Sequence, residues 1–260
     1  FVLKSKLMSP EYIDIHSHIN FSDYDEDRGV VVKRALDNGV WMINVGTKLD
    51  TSKKAIEIAH QYKEGVYATI GLHPTHTEEI FDVEIYRSMA EDSKVVGIGE
   101  CGLDYKDMNH EAYSVKQKEV FIKHIELANE VKKPLMLHIR NSYKDAIEIL
   151  KNYAKVKGDV HFFAGTIEEA KKFLELGFTL SFTGVITFAK QYKELVEYVP
   201  LDMIMSETDC PFVTPVPYRG KRNESVYVIE VVKKIAEIKK MDFEAVKTQL
   251  IKNSFRVFNL

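Results

Sequence analysis

Eight short runs of β-branched and apolar residues recur along this chain, each followed by a charged stretch with helical periodicity. The runs lie near Tyr12–His16, Trp41–Val45, Val66–Ile70, Val95–Ile98, Leu135–His138, Asp159–Phe162, Phe178–Phe182 and Met203–Glu207. Helical patterns stand between them at Arg28–Asn38, Thr51–Tyr62, Ser114–Val131, Asp145–Tyr153, Ile167–Leu176 and Tyr192–Tyr198, and Val226–Lys239 and Phe243–Phe258 close the chain. Strands that are apolar on both faces need cover on both faces, which a parallel sheet wrapped in helices provides. Eight such units predict an α/β fold of the (β/α)8 TIM-barrel type.

At 260 residues and 45% hydrophobic composition the chain is long enough for one large core. Residues 1–260 are therefore expected to form a single barrel domain, with residues 1–10 read as an extension or an expression remnant. No low-complexity tract, short repeat or linker divides the sequence. A net charge of −3 gives no overall attraction to a polyanion or an acidic membrane, so nucleic-acid contact must rest on a local basic patch. Cys101 and Cys210 are too few for a disulfide framework, and there is neither a leader pattern nor a long apolar span. The expectation is a soluble, cytoplasmic protein with no membrane contact and no obligate protein partner.

In a parallel barrel the strand ends converge on one open face, so the residues that terminate the strands matter most. His16 and His18, Glu100, His138, His161 and Asp209 all fall there. His16 and His18 are two apart on a strand end and project to one side, where they can share a metal. A carboxylate has two oxygens, so Glu100, released by Gly97 and Gly99, can bridge cations roughly 3.5–4 Å apart, which neutral histidine cannot. Imidazole-rich ligation favours Zn or Mn, with Mg, Co, Ni or Fe as further candidates. Two divalent ions per chain are expected. Asp14 shares the parity of the histidines, which leaves two readings: it orients an imidazole, or it is an ordinary strand-end carboxylate.

Other residues near these ends invite paired readings. Arg140 has the parity to face the site and a planar fork that grips phosphate, or it forms a surface ion pair. The long segment from Asp209 to Asn223, with Pro211, Pro215 and Pro217, reads as a substrate loop. Within it Arg219, Lys221, Arg222 and Tyr218 form either a phosphate-and-base contact, Arg219 foremost, or a solvated charge run. His73 donates to substrate or caps its Gly-Leu-His-Pro turn, and His76 reads as surface. Glu207 orients a ligand or the attacking water, or pairs as a buried carboxylate with Arg or Lys. Cys101 and Cys210 have the opposite strand parity and read as structural, and the aromatic residues of the helices read as core.

Taken together, Asp14-Ile15-His16-Ser17-His18, Gly71-Leu72-His73-Pro74, Gly99-Glu100-Cys101-Gly102-Leu103-Asp104-Tyr105, Pro134-Leu135-Met136-Leu137-His138, Glu207-Thr208-Asp209-Cys210-Pro211 and Asn253-Ser254-Phe255-Arg256-Val257-Phe258 resemble the TatD family of metal-dependent hydrolases. The resemblance runs in the family's order from about Tyr12 to Phe258. It implies a distorted barrel of the amidohydrolase superfamily, two divalent metals and deoxyribonuclease activity, often exonucleolytic. It also implies His16, His18, Glu100 and Asp209 around one metal, and Glu100, His138 and His161 around the other. Two departures stand out. His161-Phe162-Phe163-Ala164-Gly165 replaces the usual His-Cys-Phe-Ser/Thr-Gly, which removes a small polar group at Ala164. The run from Ile139 to Ala146 keeps the arginine but differs from the family's usual Ser-Arg-Asp-Ala in the residues beyond it.

The expected reaction is hydrolysis of a phosphodiester at a DNA end or in a short oligonucleotide, with Asp209 as general base and Glu100 holding the metals. One rival is an amidohydrolase acting on a C–N or ester bond of a small or nucleotide-linked substrate. Many such enzymes bridge their metals with a carboxylated lysine, where this chain has Glu100. The other rival is a metal-binding scaffold without turnover, against which the full ligand set argues.

Overall fold

A computed structural model describes residues 9–76, 78–106 and 111–260, without the side chains of residues 111 and 112. The extension read over residues 1–10 thus lies, up to residue 8, outside the described residues. The strands are β1 (Tyr12–Ser17), β2 (Val40–Val45), β3 (Val66–Ile70), β4 (Val95–Asp104), β5 (Leu135–Arg140), β6 (Gly158–Val160), β7 (Thr179–Phe182) and β8 (Ile204–Ser206). The helices are α1 (Arg28–Asp37), α2 (Leu49–His60), α3 (Val83–Ala90), α4 (Glu111–Val131), α5 (Tyr143–Tyr153), α6 (Ile167–Glu175), α7 (Lys193–Tyr198), α8 (Val228–Lys239) and α9 (Phe243–Phe258). The strands pair in sequence order, every pair parallel, as the eight-unit pattern predicts. Among the described residues no helix is long and apolar enough to cross a membrane.

The circle closes between β1 and the chain just past β8. The Asp209 N–H donates to the His16 carbonyl at 2.9 Å and the His18 N–H to the Cys210 carbonyl at 2.8 Å. Asp14 fastens this seam from within: its carboxylate accepts the Thr208 N–H at 2.8 Å and the Thr208 hydroxyl at 2.7 Å. An apolar cluster fills part of the interior. Phe258 of α9 packs with Ile13, Ile43, Met136 and Met205 from strands that are not all neighbours, which is possible only across a barrel interior. Asn253 anchors α9, donating to the carbonyls of Leu201 (2.9 Å) and Ile204 (2.7 Å) where the chain enters β8.

Two departures from the sequence pattern bear on the site. β4 runs on to Asp104 instead of ending near Ile98. It carries a bulge, with Ile98 opposite Leu135 but Cys101 opposite Leu137, so an extra residue turns Glu100 inward. Gly99 is required there, since its φ is 143° and a Cβ would lie 2.2 Å from the Met136 carbonyl oxygen. The other departure is α3, which falls between β3 and β4 where no helix was expected. It is short, and its start is fixed by the Asp82 side chain, which accepts the Glu84 and Ile85 N–H groups at 3.0 and 3.3 Å.

Between α3 and α4 lies a buried histidine. His124 stacks on Phe81 with ring centroids 3.7 Å apart. Its Nδ1–H donates to the Val120 carbonyl (2.8 Å) and its Nε2 accepts the Leu72 N–H (2.9 Å), which holds the turn that carries His73. Burial pulls its pKa down to about 4. A folded-state value below the unfolded value of about 6.5 means that His124 contributes fully above pH 6.5 and loses its contribution as pH falls toward 4, about 3 kcal/mol in all. Urea unfolding of metal-free protein at pH 7 and pH 4.5 should show a smaller acid loss for His124→Gln than for the unmodified chain. Equal losses would show that His124 does not carry this linkage.

Candidate metal centre

Six side chains carried by β1, β4, β5 and the segments just after β1, β6 and β8 meet at one end of the barrel. His16 Nε2 and His18 Nε2 lie 3.1 Å apart, and Glu100 Oε2 is 3.5 and 3.7 Å from them. Asp209 Oδ1 is 3.9 Å from His16 Nε2 and 3.4 Å from His18 Nε2. Four tetrahedral donors at ~2.1 Å from an ion stand ~3.4 Å from one another, so the His16, His18 and Glu100 atoms have the spacing of one coordination shell, with Asp209 close to both imidazoles. The other Glu100 oxygen, Oε1, faces a second group: His138 Nδ1 at 2.8 Å and His161 Nε2 at 3.1 Å, themselves 3.2 Å apart. Each oxygen of one carboxylate therefore looks at a different set of imidazoles. Glu100 does this from the bulge inside β4, not from a strand tip.

Charge shows what the site needs. Asp14, Glu100, Asp104, Asp159 and Glu207 are buried, and among the described residues no lysine or arginine is. Buried carboxylates need cations close by, and a donor set of four imidazoles and two carboxylates fits divalent metal. Burial pushes Glu100 up, yet the charges of His73, His161 and His16 and a hydrogen bond from His138 hold it well below the usual carboxylate range. Asp209 is likewise raised by burial but brought below its ordinary value by His18, His161 and His16.

Two of the imidazoles have the outer nitrogen bonded to an acceptor, which leaves the inner nitrogen to face the centre. His18 Nδ1–H donates to the Val45 carbonyl at 3.0 Å. His138 is reversed, with Nε2 on Asp104 Oδ2 at 3.1 Å and Nδ1 inward. His16 and His161 stack at 3.8 Å, and their Nδ1 atoms both look at Glu207, at 4.0 and 3.5 Å. Glu207 accepts the Phe162 N–H at 2.7 Å and has no Lys or Arg partner among the described residues, and its Oε2 and the two Nδ1 atoms are buried without a hydrogen-bond partner. Asp104 escaped the sequence reading. Positions 100, 102 and 104 share strand parity, a signal hidden by ending the strand at Ile98.

The remaining residues divide among their paired readings. Asp14 faces the Thr208 seam, where β1 shifts register between Asp14 and Ser17. Arg140 lines the cavity, about 580 Å³ in volume, and has no ion pair among the described residues. His73 combines both of its readings: Nδ1 accepts the Thr75 N–H at 3.2 Å, so the proton of the neutral ring is on Nε2, 3.3 Å from Glu100 Oε1. Burial lowers its pKa to about 4. His76 lies at the cavity wall instead of apart from it. The loop cations serve the fold. Arg222 pairs with Asp27 at 2.9 and 2.6 Å, whereas Arg219 donates to the Thr214 carbonyl at 2.7 Å and stacks 4.0 Å from the Phe188 ring, away from the cavity lining. Lys221 lies over the Tyr218 ring at 6.0 Å. Cys101 and Cys210 are buried among core residues.

Because Glu207 faces one ring of each donor group, Glu207→Gln should weaken divalent metal binding at both, by about 10- to 100-fold. Calorimetric titration with Zn or Mn reads this directly, with far-UV circular dichroism as the check on folding. A loss confined to one group, or none, would refute the shared role.

Residues 13–259 match the family described as TatD related DNase. The chain is 41% identical over 258 residues to an uncharacterized metal-dependent hydrolase of Bacillus subtilis strain 168, covering 95% of this chain and 98% of that one. The solved structure of a TatD homolog from Escherichia coli K12 superposes with a TM-score of 0.89 at 25% identity, over 97% of this chain and all (100%) of the other. That of a TatD family hydrolase from Entamoeba histolytica gives 0.87 at 26%, over 96% and 99%. The converging ligand set and these full-length matches agree: this chain belongs to the TatD family of metal-dependent hydrolases.

Proposed function

We propose that the protein is a dinuclear phosphodiesterase that shortens DNA or short oligonucleotides from an end. The observation that carries this reading is the division of the Glu100 carboxylate between two donor groups, at the floor of a cavity whose one arginine, Arg140, is free of ion pairs among the described residues. When bound, two divalent cations, with Zn or Mn favoured by the imidazoles, supply Lewis-acid activation of water and neutralise phosphoryl charge. Asp209, ionised and partly open to the cavity, takes the proton of the attacking water at a carboxylate oxygen. His73 and Arg140 line the cavity, and the Arg140 guanidinium, free of ion pairs among the described residues, would supply donors for a non-bridging oxygen.

The test is incubation of metal-loaded protein with end-labelled single- and double-stranded DNA beside a panel of small esters and amides. A ladder that shortens from one end supports the reading, and turnover of the small substrates alone moves the assignment to an amidohydrolase. In the same assay Asp209→Asn should cut turnover at least ~10²-fold at saturating metal. Near-normal turnover would assign the proton to another group.

Since Arg219 and Arg222 are engaged in the fold, few cations remain for phosphate. Each phosphate neutralised on a single strand adds a log–log salt slope of about −0.7, so inactive Asp209→Asn protein should bind single-stranded DNA with a slope no steeper than roughly −1.5. Fluorescence anisotropy across a salt series at fixed metal measures it. A slope near −4 would reveal a basic track elsewhere on the surface.

A further inference from the structure

Three phenylalanines, Phe21, Phe162 and Phe212, line the cavity from loops, and two of them, Phe21 and Phe212, meet each other at its edge. Phe21 follows His18 by three residues, and its N–H donates to the His18 carbonyl at 3.0 Å. Phe212 follows Asp209 by three, and its N–H donates to the Asp209 carbonyl at 2.9 Å. Each ring is therefore presented by a tight turn closed on a residue of the same donor group. Phe21 stacks on the His18 ring at 4.4 Å and 12°, and Phe212 meets Phe21 edge-on at 6.5 Å and 68°. Both line the cavity. Phe212 nevertheless remains 53% exposed. A large apolar ring held rigidly in water beside a polar centre contributes little to the core, and its open face suits a partner that is flat and apolar on its faces.

We propose that Phe21 and Phe212 form a stacking subsite for the nucleobase next to the cleaved bond, an assignment that rests on the phosphodiester reading above. The groups are divided to match: the ionised carboxylates, the imidazoles and Arg140 line the cavity for the phosphate, while Phe21 and Phe212 add apolar ring faces beside the first donor group. A π-face selects flat rings but not one base over another, so the subsite takes nucleotides of any sequence. It disfavours a bare sugar phosphate or an aliphatic ester.

The experiment is calorimetric binding of 2′-deoxyadenosine 5′-monophosphate and of 2-deoxyribose 5-phosphate to the zinc-loaded protein. Both probes carry one phosphate, so their difference isolates the base. The nucleotide should bind about 5- to 150-fold tighter, the range of one base–aromatic stack. Phe212→Ala should erase most of that ratio, and Phe212→Tyr should keep it. Equal binding of the two probes, no detectable binding of either, or a ratio that survives Phe212→Ala overturns the proposal. Turnover is read separately: a Phe212-dependent ratio in a protein that cleaves no oligonucleotide would keep the subsite and remove the nuclease reading.

Discussion

The burial of Asp14, Glu100, Asp159 and Glu207 with no buried lysine or arginine beside them is the constraint on which this structure turns. Charge is graded around it. Burial raises Asp14 to about 7 and Asp159 to about 8, and the neighbouring charge of Glu207 pushes both the same way. Those two acids hold protons near neutrality and spend their oxygens on hydroxyls: Thr208 for Asp14, and Thr179 (2.7 Å) and Ser181 (2.6 Å) for Asp159. Glu100 and Asp209, ringed by imidazoles, remain ionised. Negative charge is thus concentrated on the oxygens that face the centre, and a divalent cation is the counter-charge that the protein itself does not supply.

Barrel closure and site assembly are one event. The backbone bonds that join β1 to the segment after β8 run through His16, His18 and Asp209, so the seam cannot open without separating half of the first donor group. The backbone around the site takes conformations that non-glycine residues avoid: Asn141, Phe162, Asp209 and Val213 all have φ between 45° and 55°. Such residues persist where surrounding contacts over-determine them. Here the contacts are the seam, the Phe162 N–H on Glu207 and the Phe212 N–H on the Asp209 carbonyl.

Strand order and ligand identity were legible because both derive from periodicity and from where a polar residue interrupts an apolar run. His16, His18, Glu100, His138, His161 and Asp209 are all placed together. What the sequence hid was irregular register. β1 shifts register between Asp14 and Ser17, so the parity that Asp14 shares with the histidines does not bring it to an imidazole, and of its two readings the strand-end carboxylate bonded to Thr208 is the one seen. Bulges hid more: the extra residue at Gly99–Glu100 lengthens β4 and conceals Asp104. Two turns of helix were enough for α3 but too few for a convincing period. The loop cations misled because a charge run carries no record of its partners, and Arg222 is satisfied by Asp27, far away in sequence.

That last point bears on how a chain of net charge −3 could hold a polyanion. The arginines of the long loop are consumed in tying it down, with Arg222 forked onto Asp27 and lying 4.4 Å over the Tyr24 ring, and Arg219 closing on its own loop. Among the described residues Arg140 is the one arginine or lysine that lines the cavity. Attraction for phosphate must then arise locally, from bound cations and Arg140, and act only on the group that enters the cavity. On the proposed phosphodiesterase reading, a local charge with a short reach would favour substrates whose phosphate is delivered into the cavity over those gripped along their length, and so an end of a strand or a short oligonucleotide over the interior of a duplex.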